Sequence, residues 1–144
     1  MIRTTRIAFV ALAAVVLAAC SSADTEADTA ADTEAASFDG SHVAIDAWAD
    51  AAAADGVIIL DVRTPGEYAE ARIDGAVLLD VNGPNFAAEA ALLDPDAEYA
   101  VYCRSGNRSR TAIDIMANAG IPNTLGLEGG IGSWAASGRD TVSG

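Results

Sequence analysis

One segment of this chain concentrates groups that could do chemistry: Cys103-Arg104-Ser105-Gly106-Asn107-Arg108-Ser109-Arg110. No acid occurs from Tyr99 to Ile113, although the chain carries 21 acids against 8 bases and a formal net charge of -13. The segment is thus a local positive spot on an acidic protein. A thiol there lies beside Arg charges, at the start of a helix, and on a tight turn whose Gly106 can adopt positive φ, so that backbone N–H groups can converge on it. Each of these favours the thiolate, which lowers the Cys pKa and makes the sulfur nucleophilic. Burial of Cys103 as an inert core residue would carry flanking Arg charge out of water, which is costly.

The remaining inventory narrows that chemistry. All eight bases are Arg, so Schiff-base and P-loop chemistry that needs Lys is excluded, and the acidic balance argues against nucleic acid or anionic lipid head groups as partners. One His and two Cys are too few ligands for a Cys/His metal site and too few thiols for a disulfide framework, and no cofactor is implied. Amide hydrolysis by Cys requires a His to protonate the amine leaving group, and the only His is His42, at the N-terminal edge of the domain, where it reads as a surface or strand-end residue. A leaving group that is already a stable anion, such as sulfite leaving the outer sulfur of thiosulfate, requires no general acid. It requires a thiolate, an anion cradle and positive charge.

The elements that must position this loop alternate in type. Ile45 to Ala54 reads as a helix with Asp46 as its cap, and Val57 to Leu60 as a strand covered on both faces, stopping at Asp61. Thr64-Pro65-Gly66-Glu67 opens a short helix, with Pro in the first turn and Glu behind a Thr cap. Ala76 to Val81 reads as a strand, Asn85 to Leu93 as a helix, and Tyr99 to Tyr102 as a strand running directly into Cys103. Arg108 to Ala119 is a helix with Ile113, Met116 and Ala117 on its apolar face, ended by Gly120 and Pro122. Thr124 to Leu127 reads as the last strand and Ile131 to Ala136 as the last helix, with Gly129-Gly130 a turn before it. The alternation predicts an α/β domain with a mostly parallel sheet and helices on both faces, in which Asp61 and Cys103 fall at the carboxyl ends of strands, where ligands bind.

Ahead of this domain, residues 1–6 carry two Arg and no acid, followed by thirteen apolar residues from Ile7 to Ala19. A membrane-spanning helix needs about 20 such residues, so residues 1–19 read as a secretory signal. Leu17-Ala18-Ala19-Cys20 resembles the lipobox of bacterial lipoproteins, which implies lipid attachment at Cys20 and an exported domain tethered on the extracytoplasmic side of the cell membrane. Residues 20–37 hold five acids, no base and no apolar residue larger than Ala beyond Cys20, the composition of a self-repelling spacer. The folded domain is expected over residues 38–144.

Within it, Cys103 to Ser109 resembles the active-site loop of single-domain rhodaneses, the thiosulfate sulfurtransferases. Asp61-Val62-Arg63 with Glu67-Tyr68, then Ile73 and Gly75-Ala76, resembles the early signature of that family, and Leu127-Glu128-Gly129-Gly130 with Trp134 its C-terminal one. The resemblance covers residues 42 to 138 and implies a five-stranded, mostly parallel sheet and a Cys that carries a transient persulfide. It implies that Cys103 accepts the sulfur, and that Arg104, Ser105, Gly106, Asn107 and Arg108 hold the sulfur and the incoming anion. It also places Asp61, Arg63 and Ser109 in support, either at the site or, for the first two, as a structural ion pair. Glu67, Tyr68, Trp48 and Trp134 read as cap, core and packing residues. Ala71, Arg72 and Asp74 depart from the Gly, His and Pro common in the family before Ile-x-Gly-Ala, which affects a turn outside the reactive loop.

Two rival readings stand beside this one. A phosphatase or arsenate reductase of related fold also uses a Cys loop ending in Arg, but its loop is one residue longer than the four between Cys103 and Arg108. The other is a non-catalytic module that holds a persulfide or a partner protein; an intact Cys103 argues against a degenerate domain but is compatible with a carrier that takes its sulfur from another protein. The implied small molecules are an anionic, thiosulfate-like donor and a cyanide or thiol acceptor.

Overall fold

The computed structural model describes residues 36–144. The expected signal, Cys20 and nearly all of the acidic spacer lie outside the described residues. The described elements run β1 (His42–Val43), α1 (Ile45–Ala52), β2 (Ile58–Asp61), α2 (Pro65–Glu70), β3 (Val77–Leu78), α3 (Phe86–Ala90), β4 (Tyr99–Tyr102), α4 (Asn107–Asn118), β5 (Thr124–Leu127) and α5 (Gly130–Ala136). They build one five-stranded sheet in the order β1-β5-β4-β2-β3. Every pairing is parallel, so the expectation of a mostly parallel sheet is met and sharpened.

Strands β2 and β4, neighbours in the interior of the sheet, come from continuous apolar runs, as burial on both faces requires. Their side chains alternate between two cores. Tyr99, Val101 and Cys103 join Leu60, Val62, Ala112, Ile113 and Met116 on the side of α3 and α4. Ala100 and Tyr102 join Trp48, Leu125, Leu127 and Ile131 on the side of α1 and α5. Trp48 anchors this second core: it is fully buried, donates its indole N–H to the Leu125 carbonyl at 3.1 Å, and meets the rings of Tyr102 and Trp134 edge-on.

Several local expectations need correction. The residue pattern marks four strands, and β1 is the fifth: two residues that pair only with β5 are too short to leave a periodic signal. Asp46 does not cap α1. The N-cap is Ala44, with no side-chain bond, and Asp46 in the first turn instead pairs with Arg139 at 2.7 Å. Helix α1 ends at Ala52, where Ala54 N–H turns back to the Ala51 carbonyl. Helix α3 ends at Ala90, where Leu92 and Leu93 bond three residues back rather than four. Regular pairing in β3 is confined to Val77–Leu78 on the sheet edge, although Leu79 N–H still reaches the Asp61 carbonyl at 2.9 Å. On α4 the buried stripe is Ser109, Ala112, Ile113 and Met116; Ala117 lies off it and is exposed. The cap of α2 follows the sequence: Thr64 accepts from the Glu67 backbone N–H, and the Glu67 carboxylate accepts from the Thr64 N–H at 3.1 Å.

Candidate active site

Strands β2 and β4 are in register, with Asp61 opposite Tyr102, so both chains leave the sheet at the same end. Cys103 follows β4 directly, and the loop turns back into α4 through Gly106, whose φ of 94° is the left-handed conformation the sequence anticipates. That turn aims the Gly106 N–H at Cys103 Sγ, at 3.1 Å.

Cys103 is 1% exposed, which corrects the expectation that flanking Arg would keep it out of the core. The physical reason is that the flanking charges leave the thiol behind: Arg104, Asn107 and Arg110 are exposed while Gly106 and Ser109 are buried beneath them. Burial pushes the thiol up, but the backbone N–H groups of Ser109, Ser105 and Gly106 and the Ser109 hydroxyl outweigh it, and the net shift is downward. The thiolate is therefore favoured chiefly by loop hydrogen bonds, where the sequence had pointed equally to Arg charge.

Arg108 pairs with Glu67. Its Nη1 and Nη2 each lie 2.7 Å from an oxygen of Glu67, a fork-on-fork pair across two elements. Arg108 thereby ties α2 to α4. The Arg108 guanidinium, against some burial and with help from Thr64, holds the Glu67 carboxyl down at about 2. A carboxyl so depressed contributes stability that is complete above its ordinary value of 4.5 and is lost as pH falls toward about 2. In Glu67→Gln that contribution is absent, so its unfolding midpoint should lie below that of the native chain at neutral pH and converge with it across this window. Parallel curves in acid titrations followed by circular dichroism would refute the assignment.

Asp61 and Arg63 form a buried ion pair on the face of the sheet opposite the thiol. The Asp61 carboxylate accepts from Arg63 Nε at 2.8 Å and from the Arg63 backbone N–H at 3.0 Å, and from the Tyr102 hydroxyl at 2.6 Å. Tyr102 in turn accepts from the Ile73 N–H at 3.1 Å. The Asp61 carboxylate is thus fully engaged by Arg63 and Tyr102, while Arg63 also borders a cavity of about 300 Å³ shared with Arg104 and Glu67 beside the loop. Arg104 is exposed and lines this cavity.

Three contributors escape a reading of the sequence. Tyr102 looks like strand filling, Glu67 like a helix cap, and His42 like a strand end. Adjacency to Cys103 was the available signal for Tyr102. Glu67 falls in the segment that resembles the family's early signature, but its pairing with Arg108 leaves no local trace, nor does that of His42 with Ser109, since these partners lie 41 and 67 residues away.

The α5 turn closes the site. Ile131 and Gly132 donate their backbone N–H groups to the carbonyls of Cys103 and Arg104, at 2.8 and 3.1 Å.

Comparison with known proteins agrees with this architecture. Residues 45–137 match the model of the rhodanese-like domain. A protein named "Sulfurtransferase" from Allochromatium vinosum is 33% identical over 89 residues, covering 62% of this chain and 81% of that one. An uncharacterised Synechocystis protein is 35% identical over 91 residues, which are 61% of this chain but 48% of that longer one. Among solved structures, a rhodanese-related protein of Thermoplasma volcanium aligns with a TM-score of 0.62 and 28% identity, covering 70% of this chain and 96% of that one. The rhodanese-like domain of an Anabaena protein aligns with a TM-score of 0.56 and 26% identity, covering 61% and 66%. The family match takes in the sheet from β2 to β5 together with the Cys loop and the turn that docks on it, and on that span the chain belongs to the rhodanese-like domain family.

Proposed function

We propose that this chain is a sulfurtransferase that moves a sulfane sulfur through a persulfide on Cys103, taking it from thiosulfate or a related persulfide or polysulfide. The acceptor is thiophilic, cyanide or a thiol. The observation that carries this reading is the buried Cys103 thiol, shifted toward its ionised form by the hydrogen bonds of its own loop. The sulfurtransferase name of the Allochromatium vinosum relative supports it.

In the first half-reaction the Cys103 thiolate attacks the outer sulfur of thiosulfate. The sulfur–sulfur bond of the donor breaks, its electron pair leaves with sulfite, and Cys103 retains the outer sulfur as a persulfide anion. In the second, the acceptor attacks that outer sulfur and the pair of the Sγ–S bond returns to Cys103 as thiolate. With an anionic acceptor neither step moves a proton, so no acid need touch the sulfur. Converging N–H groups stabilise negative charge at the sulfur in both states without reorganising. The commitment of Arg108 to Glu67 counts against the phosphatase rival, which would turn that Arg toward a phosphate.

Intact-mass measurement of the full chain after exposure to thiosulfate is expected to show a persulfide-mass adduct that Cys103→Ser lacks. No adduct from thiosulfate or any polysulfide would remove the proposal. Release of phosphate from an aryl phosphate without sulfur loading would favour the phosphatase instead.

A further inference from the structure

The imidazole of His42 and the thiol of Cys103 share one hydrogen-bonding partner. His42 Nε2 lies 2.8 Å from Ser109 Oγ, and Ser109 Oγ lies 3.7 Å from Cys103 Sγ. The same hydroxyl is 3.0 Å from the Gly106 carbonyl. Ser109 is fully buried, whereas His42 is half-buried and borders a surface cavity of about 280 Å³ with Ser41, Arg110 and Asp114. The ring sits over Gly126, where an added Cβ would fall 2.3 Å from it, so its position against Ser109 is set by packing. The sulfur-transfer steps above make no use of His42.

We propose that His42 is a positioning residue, which orients the Ser109 hydroxyl toward the Cys103 sulfur and so couples thiolate formation to the proton state of its own ring. A hydroxyl has one proton to give and two lone pairs to fill. With the thiol protonated, Ser109 is satisfied without His42, since S–H can donate to its oxygen while its own proton goes to the Gly106 carbonyl. With the thiolate, the Ser109 proton is wanted at the sulfur, and the buried Ser109 oxygen then needs a donor. Nε2–H is that donor. The thiolate therefore selects the ring form that carries a proton on Nε2, and reciprocally that ring form favours the thiolate.

The charged groups facing the ring are Arg110 and Asp114 of α4 and Glu128 beyond β5, with Cys103 behind Ser109. Burial and then Arg110 hold the imidazole below its ordinary value, against Glu128 and Asp114, so the ring is neutral at neutral pH and charges only on acidification. A charged ring has Nε2 committed as a donor. The thiolate should then persist into a pH range where an uncoupled thiol would already be protonated.

The relay rests on the sulfurtransferase reading only for its consequence in turnover, so its test is read on the thiol. In the full chain, the rate of iodoacetamide alkylation at Cys103, followed by peptide mass spectrometry from about pH 5 to 9, reports the thiolate fraction. His42→Phe removes the donor, and its rate at neutral pH is expected to fall about three- to tenfold, with the inflection moved upward. His42→Gln can donate from a similar place but does not titrate, so it should stay within about twofold of the native rate at neutral pH while losing the persistence in acid. A His42→Phe profile that superimposes on the native one would overturn the proposal. So would a His42→Gln profile that keeps the acid limb, which decides the matter even if His42→Phe fails to fold. If both variants show the expected shifts but the native chain forms no persulfide, the result counts against the sulfurtransferase reading alone.

Discussion

Asp61→Ala is expected to destabilise the domain by about 3–5 kcal/mol, the cost of leaving a buried charge without its partner. Asp61 is fully buried and the Arg63 side chain is 5% exposed. Burial opposes the Arg63 charge, and the Asp61 carboxylate more than compensates, so the guanidinium stays firmly charged. Without the carboxylate, Arg63 keeps the Ala71 carbonyl as a partner, and the Tyr102 hydroxyl loses its acceptor. A domain of this size has about 5–15 kcal/mol in total, so the loss should appear as a large fall in denaturant midpoint. Asp61→Leu combined with Arg63→Met removes both charges and should recover most of it, because a buried pair is worth far less than either half alone costs. If the double variant is no more stable than Asp61→Ala, the pair is not the source of the effect. If Asp61→Ala unfolds like the native chain but no longer loads sulfur, Asp61 belongs to the site and not to the scaffold.

What the sequence reveals of this fold is what leaves a local trace. Val57 to Leu60 and Tyr99 to Tyr102 are unbroken apolar runs because they supply β2 and β4 in the interior of the sheet, and Thr64 with Pro65 and Glu67 writes a helix start in four residues. Cys103 stands out because its loop is basic in an acidic chain. The illegible parts are those that depend on residues distant in the chain. β1 exists only because His42 and Val43 find the edge of β5. The charge on Arg108 looks available until Glu67 is brought to it from α2. The burial of Cys103 follows from a loop that turns Gly106 and Ser109 inward and Arg104 and Arg110 outward, a choice the residue types alone leave open.

Gly130→Ala is expected to damage stability and sulfur chemistry together, because the docking turn and the Cys loop touch at this residue. Gly130 has a φ of 58°, and an added Cβ would lie 2.3 Å from the Cys103 carbonyl oxygen and 2.6 Å from the Arg104 carbonyl carbon. Both are backbone atoms, so no side chain can rotate away to make room. Left-handed strain of about 1–2 kcal/mol and overpacking of about 1–3 kcal/mol together predict a loss of roughly 2–5 kcal/mol. The strain cannot stay local. Relieving the clash moves Cys103 and Arg104 away from α5, which breaks the bonds that Ile131 and Gly132 make to their carbonyls. It also shifts the peptide that sets where the Ser105 and Gly106 N–H groups point, and these are among the groups that lower the Cys103 pKa. Surviving folded protein should therefore show a thiol returned toward its ordinary value, with alkylation at neutral pH slowed by about tenfold for each unit of rise. An unfolding midpoint like that of the native chain would show that the turn yields without cost. A lowered midpoint with an unchanged alkylation profile would show that α5 steadies the fold but does not hold the sulfur loop in shape.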